Sequence, residues 1–127
     1  LSSAVTLITV DGNRMTIRNC GNPSPLLLSN GKVSALPLDG SKPVGLSEQT
    51  GPLVYDIIPG MDDLVFISTN GLFKAFRELR GRELADFLSA SMPSGVEECL
   101  RLVSNEIEPF IRKRYSDDIT FIVAGLK

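Results

Sequence analysis

The chain has 127 residues, 43% hydrophobic and 22% charged, with a formal net charge of −2. That size and balance fit one small domain, or part of a larger one, with a real core, and they exclude disorder of the chain as a whole. The slight acidity excludes broad electrostatic binding to nucleic acid or to an anionic membrane surface, and the absence of histidine excludes Ser-His-Asp and Cys-His mechanisms and histidine-ligated zinc.

The first two-thirds of the chain reads as strands and turns. Ala4 to Val10 is a β-rich run, Asp11-Gly12 is a hairpin signal, and Met15 to Cys20 is the returning partner. Pro25 to Ser29 and Lys32 to Leu36 flank Asn30-Gly31, a second hairpin of the same kind. Leu38 to Gln49 is rich in Gly, Pro and Ser and reads as a loop. Leu53 to Ile58 is a strand closed by Pro59-Gly60. Leu64 to Thr69 follows; its apolar residues fall on both faces, as expected of a central, doubly covered strand.

The period then changes. Gly81 to Ser91 carries Leu84, Phe87, Leu88 and Ser91 at helical spacing. Ser94 with Glu97 reads as a capping box opening a second helix. Val96, Cys99, Leu100, Val103, Ile107, Phe110 and Ile111 form its apolar stripe. Pro109 should kink that helix or end its regular part, and the basic run Arg112 to Arg114 complements its C-terminal dipole. Ile119 to Ala124, apolar on both faces, reads as a second central strand. Strands first and helices later predict an α+β fold: an antiparallel β-sheet with two C-terminal helices on one face, and a bare opposite face in need of a partner layer.

Cys20 and Cys99 stand far apart and read as small buried hydrophobes in a reducing, cytoplasmic setting. No apolar run approaches the roughly 20 residues of a membrane helix, so no membrane insertion is expected, and no signal-peptide pattern opens the chain.

Hydrolytic chemistry would therefore rest on carboxylates, with or without a metal. Asp62 and Asp63 precede the strand Leu64 to Thr69, and Asn70-Gly71 follow it. At about 3.3 Å per strand residue the two ends lie roughly 20 Å apart, so the acidic pair shares no site with position 70 and reads as a solvated turn. Asp117 and Asp118 directly precede the last strand. If the two central strands are antiparallel neighbours, Asn70 and Asp117 meet at one sheet edge. Carboxylates at such an edge suit a hard divalent cation. On spacing alone, a pair of acids before a strand is as well an ordinary turn, and Asn70-Gly71 is as well a turn dipeptide.

Four local words resemble the stage II sporulation E-like branch of the metal-dependent PPM protein phosphatases. Asn19-Cys20-Gly21-Asn22-Pro23-Ser24-Pro25-Leu26-Leu27-Leu28 resembles A-G-H-N-P-P-L-L-L, and Pro43-Val44-Gly45-Leu46 resembles P-L-G-L/I. The run from Pro59-Gly60 through Ser68-Thr69-Asn70-Gly71-Leu72-Phe73 resembles P-G-D-x-L-x-L-Y-T-D-G-L-x-E. Asp117-Asp118-Ile119-Thr120 resembles D-D-I/M-T. The resemblance implies the C-terminal portion of a PPM-phosphatase-like αββα sandwich, without the N-terminal portion that carries the first metal aspartate. It implies a two-metal Mn2+ or Mg2+ centre whose bridging water attacks a phosphoserine or phosphothreonine. It also implies a phosphorylated STAS-type (anti-anti-sigma) regulatory partner in bacterial stress or sporulation signalling, and a possible dimer.

By that resemblance Asp117 is a metal ligand and Asn70 stands where the family has a metal aspartate. Asp118 is an outer acid or turn residue, and Gly71 permits a tight backbone turn beside the site. Asparagine brings no negative charge, so a metal-deficient chain is expected. The alternative is a non-catalytic pseudophosphatase or protein-interaction module.

Overall fold

Turn chemistry sets the strand pairings. The structure is a computed structural model that describes residues 4–39, 51–114 and 118–126. β1 (Val5–Asp11) and β2 (Arg14–Cys20) pair antiparallel, with Asp11 opposite Arg14 across a two-residue loop. β3 (Leu26–Ser29) and β4 (Lys32–Ala35) pair around Asn30-Gly31, whose φ angles are 52° and 75°. Two consecutive left-handed residues match the right-handed twist of a hairpin, and Asn-Gly accepts that conformation at least cost.

β5 (Leu53–Ile57) pairs with β2, β6 (Leu64–Ser68) with β3, and β7 (Phe121–Ala124) with β6, all antiparallel. The result is two sheets, ordered β1-β2-β5 and β4-β3-β6-β7. Met15 and Ile17 of β2 pack with Val65 and Ile67 of β6, together with Leu36 and Leu38. The first sheet is therefore the layer that covers the second. The single sheet with a bare face expected from the sequence is corrected here: alternation reports which residues share a face, not which strands pair.

β6 is buried at all five positions, as its two-sided apolar pattern predicts. β7 differs from its reading as a central strand. It is an edge among the described strands, and Ile122 is 56% exposed.

The far face of the second sheet carries three helices rather than two. α1 (Asn70–Arg80) begins directly after β6 and buries Leu72, Ala75 and Phe76. It ends at Gly81, whose φ of 65° allows its N–H to reach the Arg77 carbonyl. Gly81, expected to open a helix, closes one. α2 (Leu84–Ser91) packs Phe87 against Phe76 with ring centroids 5.2 Å apart. α3 (Val96–Arg114) buries Cys99, Val103 and Ile107.

The capping box is not formed. Ser94 Oγ bonds Glu98 instead (2.9 Å), and the Gly95 carbonyl accepts the Cys99 N–H. The helix continues through Pro109. Leu100 is partly exposed, and the side chains of Phe110, Ile111 and the basic run lie outside the described residues.

Leu26, Leu28, Leu64 and Phe66 join the helices in one core. The layer order is thus helices, sheet, sheet: an α+β architecture that matches part of an αββα sandwich. The outer face of the first sheet shows Val5, Leu7 and Val54 to solvent. No described helix is long and apolar enough to cross a membrane.

Candidate functional site

The antiparallel pairing of β6 with β7, Ser68 opposite Phe121, brings the end of one strand to the start of the other. Beyond the last ladder pair, Thr69 N–H donates to the Thr120 carbonyl (3.0 Å) and Thr120 N–H donates to Thr69 Oγ1 (3.2 Å). Thr69 is the N-cap residue of α1, but its hydroxyl makes no cap bond and serves the 118–120 segment instead. Thr69 carries no mark of this role in the sequence. The preference for threonine at an N-cap was the available signal, and it points to a different partner from the one observed.

Asn70 is the first residue of α1 and exposed. Asp118 is also exposed, and its backbone carbonyl presses on Gly71: a Cβ placed on Gly71 would overlap that oxygen. Gly71 lies within the helix and is not among the residues with positive φ. Its expected role in a tight turn is therefore corrected. What the position requires is the absence of a side chain, so that the 118–119 backbone can approach α1. Asp117 and the Pro43-Val44-Gly45-Leu46 word lie outside the described residues. Asp62 and Asp63 form the turn at the opposite end of β6, where Gly60 N–H donates to Asp63 Oδ2 (2.8 Å).

Beside Asn70 opens a cleft of about 600 Å³. One wall is α1, which presents Asn70, Phe73 and Arg77 at helical spacing; the other includes Pro23, Leu36 and Asp39. The second wall is fixed by Asn19, fully buried at 0% exposure. Its amide donates to the carbonyls of Asn22 (2.8 Å) and Leu38 (2.9 Å) and accepts from Thr6 Oγ1 (2.7 Å). Asn22 in turn donates to Thr6 Oγ1 (2.8 Å). Two strands and two connecting segments are tied through one amide. This role was invisible in the sequence, where Asn19 only opened a resembling word.

Arg77 Nε donates to both carboxylate oxygens of Glu83, at 2.8 and 3.0 Å, which raises the arginine's pKa further. Cys99 is no nucleophile. Burial, with the negative charge of Glu98 as the lesser cause, pushes its thiol up to about 11, and the thiolate is the reactive form.

A divalent cation of the magnesium class takes about six oxygen ligands, carboxylates among them. At the rim the described residues offer the neutral Asn70 amide and the Asp118 carboxylate. No cluster of three or more His, Cys, Asp or Glu side chains suited to a metal occurs among the described residues. By themselves they fall short of a cation site.

A family model described as "Stage II sporulation protein E (SpoIIE)" matches residues 2–127. Among solved structures, the phosphatase domain of the cell fate determinant SpoIIE from Bacillus subtilis has a TM-score of 0.71 at 15% identity, covering 98% of this chain and 58% of that one. The PPM Ser-Thr phosphatase MsPP from Mycobacterium smegmatis, in complex with cacodylate, has a TM-score of 0.71 at 19% identity, covering 99% and 63%. The catalytic domain of serine threonine protein phosphatase PstP, in complex with 2 manganese ions, has a TM-score of 0.68 at 18% identity, covering 96% and 57%. These likenesses show the fold, and the chain spans less than two-thirds of each of these structures. No curated protein matches the chain at a significant level.

Proposed function

The chain belongs to the stage II sporulation protein E family, and we propose that it is the C-terminal portion of a metal-dependent protein serine/threonine phosphatase domain. The substrate of this reading is a phosphoserine or phosphothreonine on a STAS-type regulatory protein in bacterial signalling. Asp117 is a ligand of the Mn2+ or Mg2+ centre, Asn70 occupies a position the family fills with aspartate, and Gly71 holds the 118–119 backbone against α1. The remaining ligands come from a portion of the domain that this chain does not contain. The reading is supported above all by the shared rim. The mutual bonds of Thr69 and Thr120, and the packing of Gly71 on Asp118, bring residue 70 beside the segment that Asp117 precedes.

A second reading is favoured by the uncharged amide at position 70: a pseudophosphatase that keeps the partner surface without the chemistry. The two separate on metal affinity. In a protein with the complete domain, Asn70→Asp adds a charged oxygen ligand. Manganese affinity should rise about tenfold or more, a modest gain for one added charge-assisted contact. Hydrolysis of a phosphoserine STAS protein should rise with it. Superimposable manganese titrations for the two forms would remove position 70 from the metal centre. Tighter manganese without any hydrolysis would favour the interaction module.

A further inference from the structure

The cleft beside Asn70 has a polarity of its own. Asn70, Phe73 and Arg77 line one wall along a single face of α1. Arg77 is held by Glu83 through Nε alone, and its two terminal nitrogens make no hydrogen bond among the described residues. The guanidinium is thus oriented by one carboxylate while its outer edge remains available as a fork for a second. Phe73 lies between Asn70 and Arg77 on the helix, and together with Pro23 and Leu36 it supplies the apolar part of the cleft lining. Asp39 stands on the opposite wall, so the cleft is not uniformly cationic.

We propose that this cleft receives the polypeptide flanking the phosphorylated residue of a protein substrate, and that Arg77 selects an acidic side chain about three residues from it. The proposal rests on the phosphatase reading of the Asn70 rim. Asn70 and Arg77 are seven residues apart in the helix, roughly 10 Å at about 1.5 Å per residue. An extended peptide covers that distance in about three residues at about 3.3 Å each. An apolar side chain between the phosphorylated residue and the acid would lie on Phe73. The volume, about 600 Å³, is that of a small-ligand pocket and suits a few side chains rather than a whole domain surface. Arg77 is a specificity residue in this account.

The test uses phosphoserine peptides that carry glutamate or lysine three residues before or after the phosphoserine. Binding to the complete protein is read by fluorescence anisotropy without added metal, with hydrolysis under manganese measured in parallel. A glutamate peptide should bind about tenfold more tightly than its lysine counterpart, the scale of one close charge pair. Arg77→Glu should reverse that order, and Arg77→Lys should keep it in weaker form. Melting curves of the variants confirm that they fold. An order unchanged by Arg77→Glu in a folded protein would overturn the proposal, as would a preference for acid at every position alike. The charge preference without any hydrolysis would strike the enzymatic reading alone, whereas hydrolysis without the preference would strike the cleft alone.

Discussion

Asn19 shows how one buried polar side chain can carry a site it never touches. Its amide group is matched to its surroundings by direction: the NH2 faces two carbonyls and the oxygen faces a hydroxyl. Alanine there leaves the carbonyls of Asn22 and Leu38 short of a donor in a dry position. The expected cost of Asn19→Ala is about 1–3 kcal/mol, read as a lowered urea midpoint with an unchanged slope. Aspartate should cost more, because an ionised carboxylate only accepts and would face two carbonyl oxygens. A midpoint within error of the parent would show that the 21–22 turn and Leu38 hold their places without this amide.

At the scale of elements, the junction between β6 and α1 decides the geometry of the rim. Helix propensity alone favours alanine over glycine by about 1 kcal/mol in a helix interior. At position 71 the sign should reverse, because a methyl group would overlap the Asp118 carbonyl. Gly71→Ala is expected to destabilise by about 1–3 kcal/mol, the range for overpacking. Gly51→Ala, at a site outside any helix with open space around the added carbon, should change little. A thermal melt of both variants reads the contrast, and a gain for Gly71→Ala would mean that the 118–119 backbone does not pack on α1.

The same junction marks where the sequence was readable and where it was not. Asn30-Gly31 announced its hairpin because two consecutive positive φ angles leave few acceptable residues. β6 announced itself because burial on both faces demands apolar residues at every position. α1 did not, for a physical reason. A helix that starts with only Thr69 between it and the end of a strand leaves no separating loop, and its first two residues, Asn70-Gly71, are also the best turn dipeptide. The Ser94 and Glu97 spacing misled in the opposite sense: the local pattern was present, but Ser94 bonds Glu98 instead. The division into two sheets was hidden because period-two alternation names no partner. Arg77 and Asn19 were hidden because their roles arise only when distant segments meet.

At the scale of the molecule, three layers are present and the outer face of the first sheet shows apolar side chains to solvent. Leu7 and Val54 flank Arg18 in one row across that sheet, and Leu7 and Val54 are 55% and 53% exposed. The relatives of known structure are longer than this chain, and an exposed apolar sheet face is a surface that proteins ordinarily cover. The family assignment rests on a match over nearly the whole chain and the fold likeness on several phosphatase domains. The proposed metal chemistry turns on one rim, where the end of β6 and the approach to β7 converge.

The paramagnetic effect of Mn2+ on the backbone amide resonances of the complete protein tests that convergence most directly. Broadening should appear first at residues 70–71 and 117–119, together and at the same manganese concentration. The amides of residues 61–63, roughly 20 Å away along β6, should be spared. Broadening centred on the Asp62-Asp63 turn, or spread evenly over every acidic residue, would contradict the account.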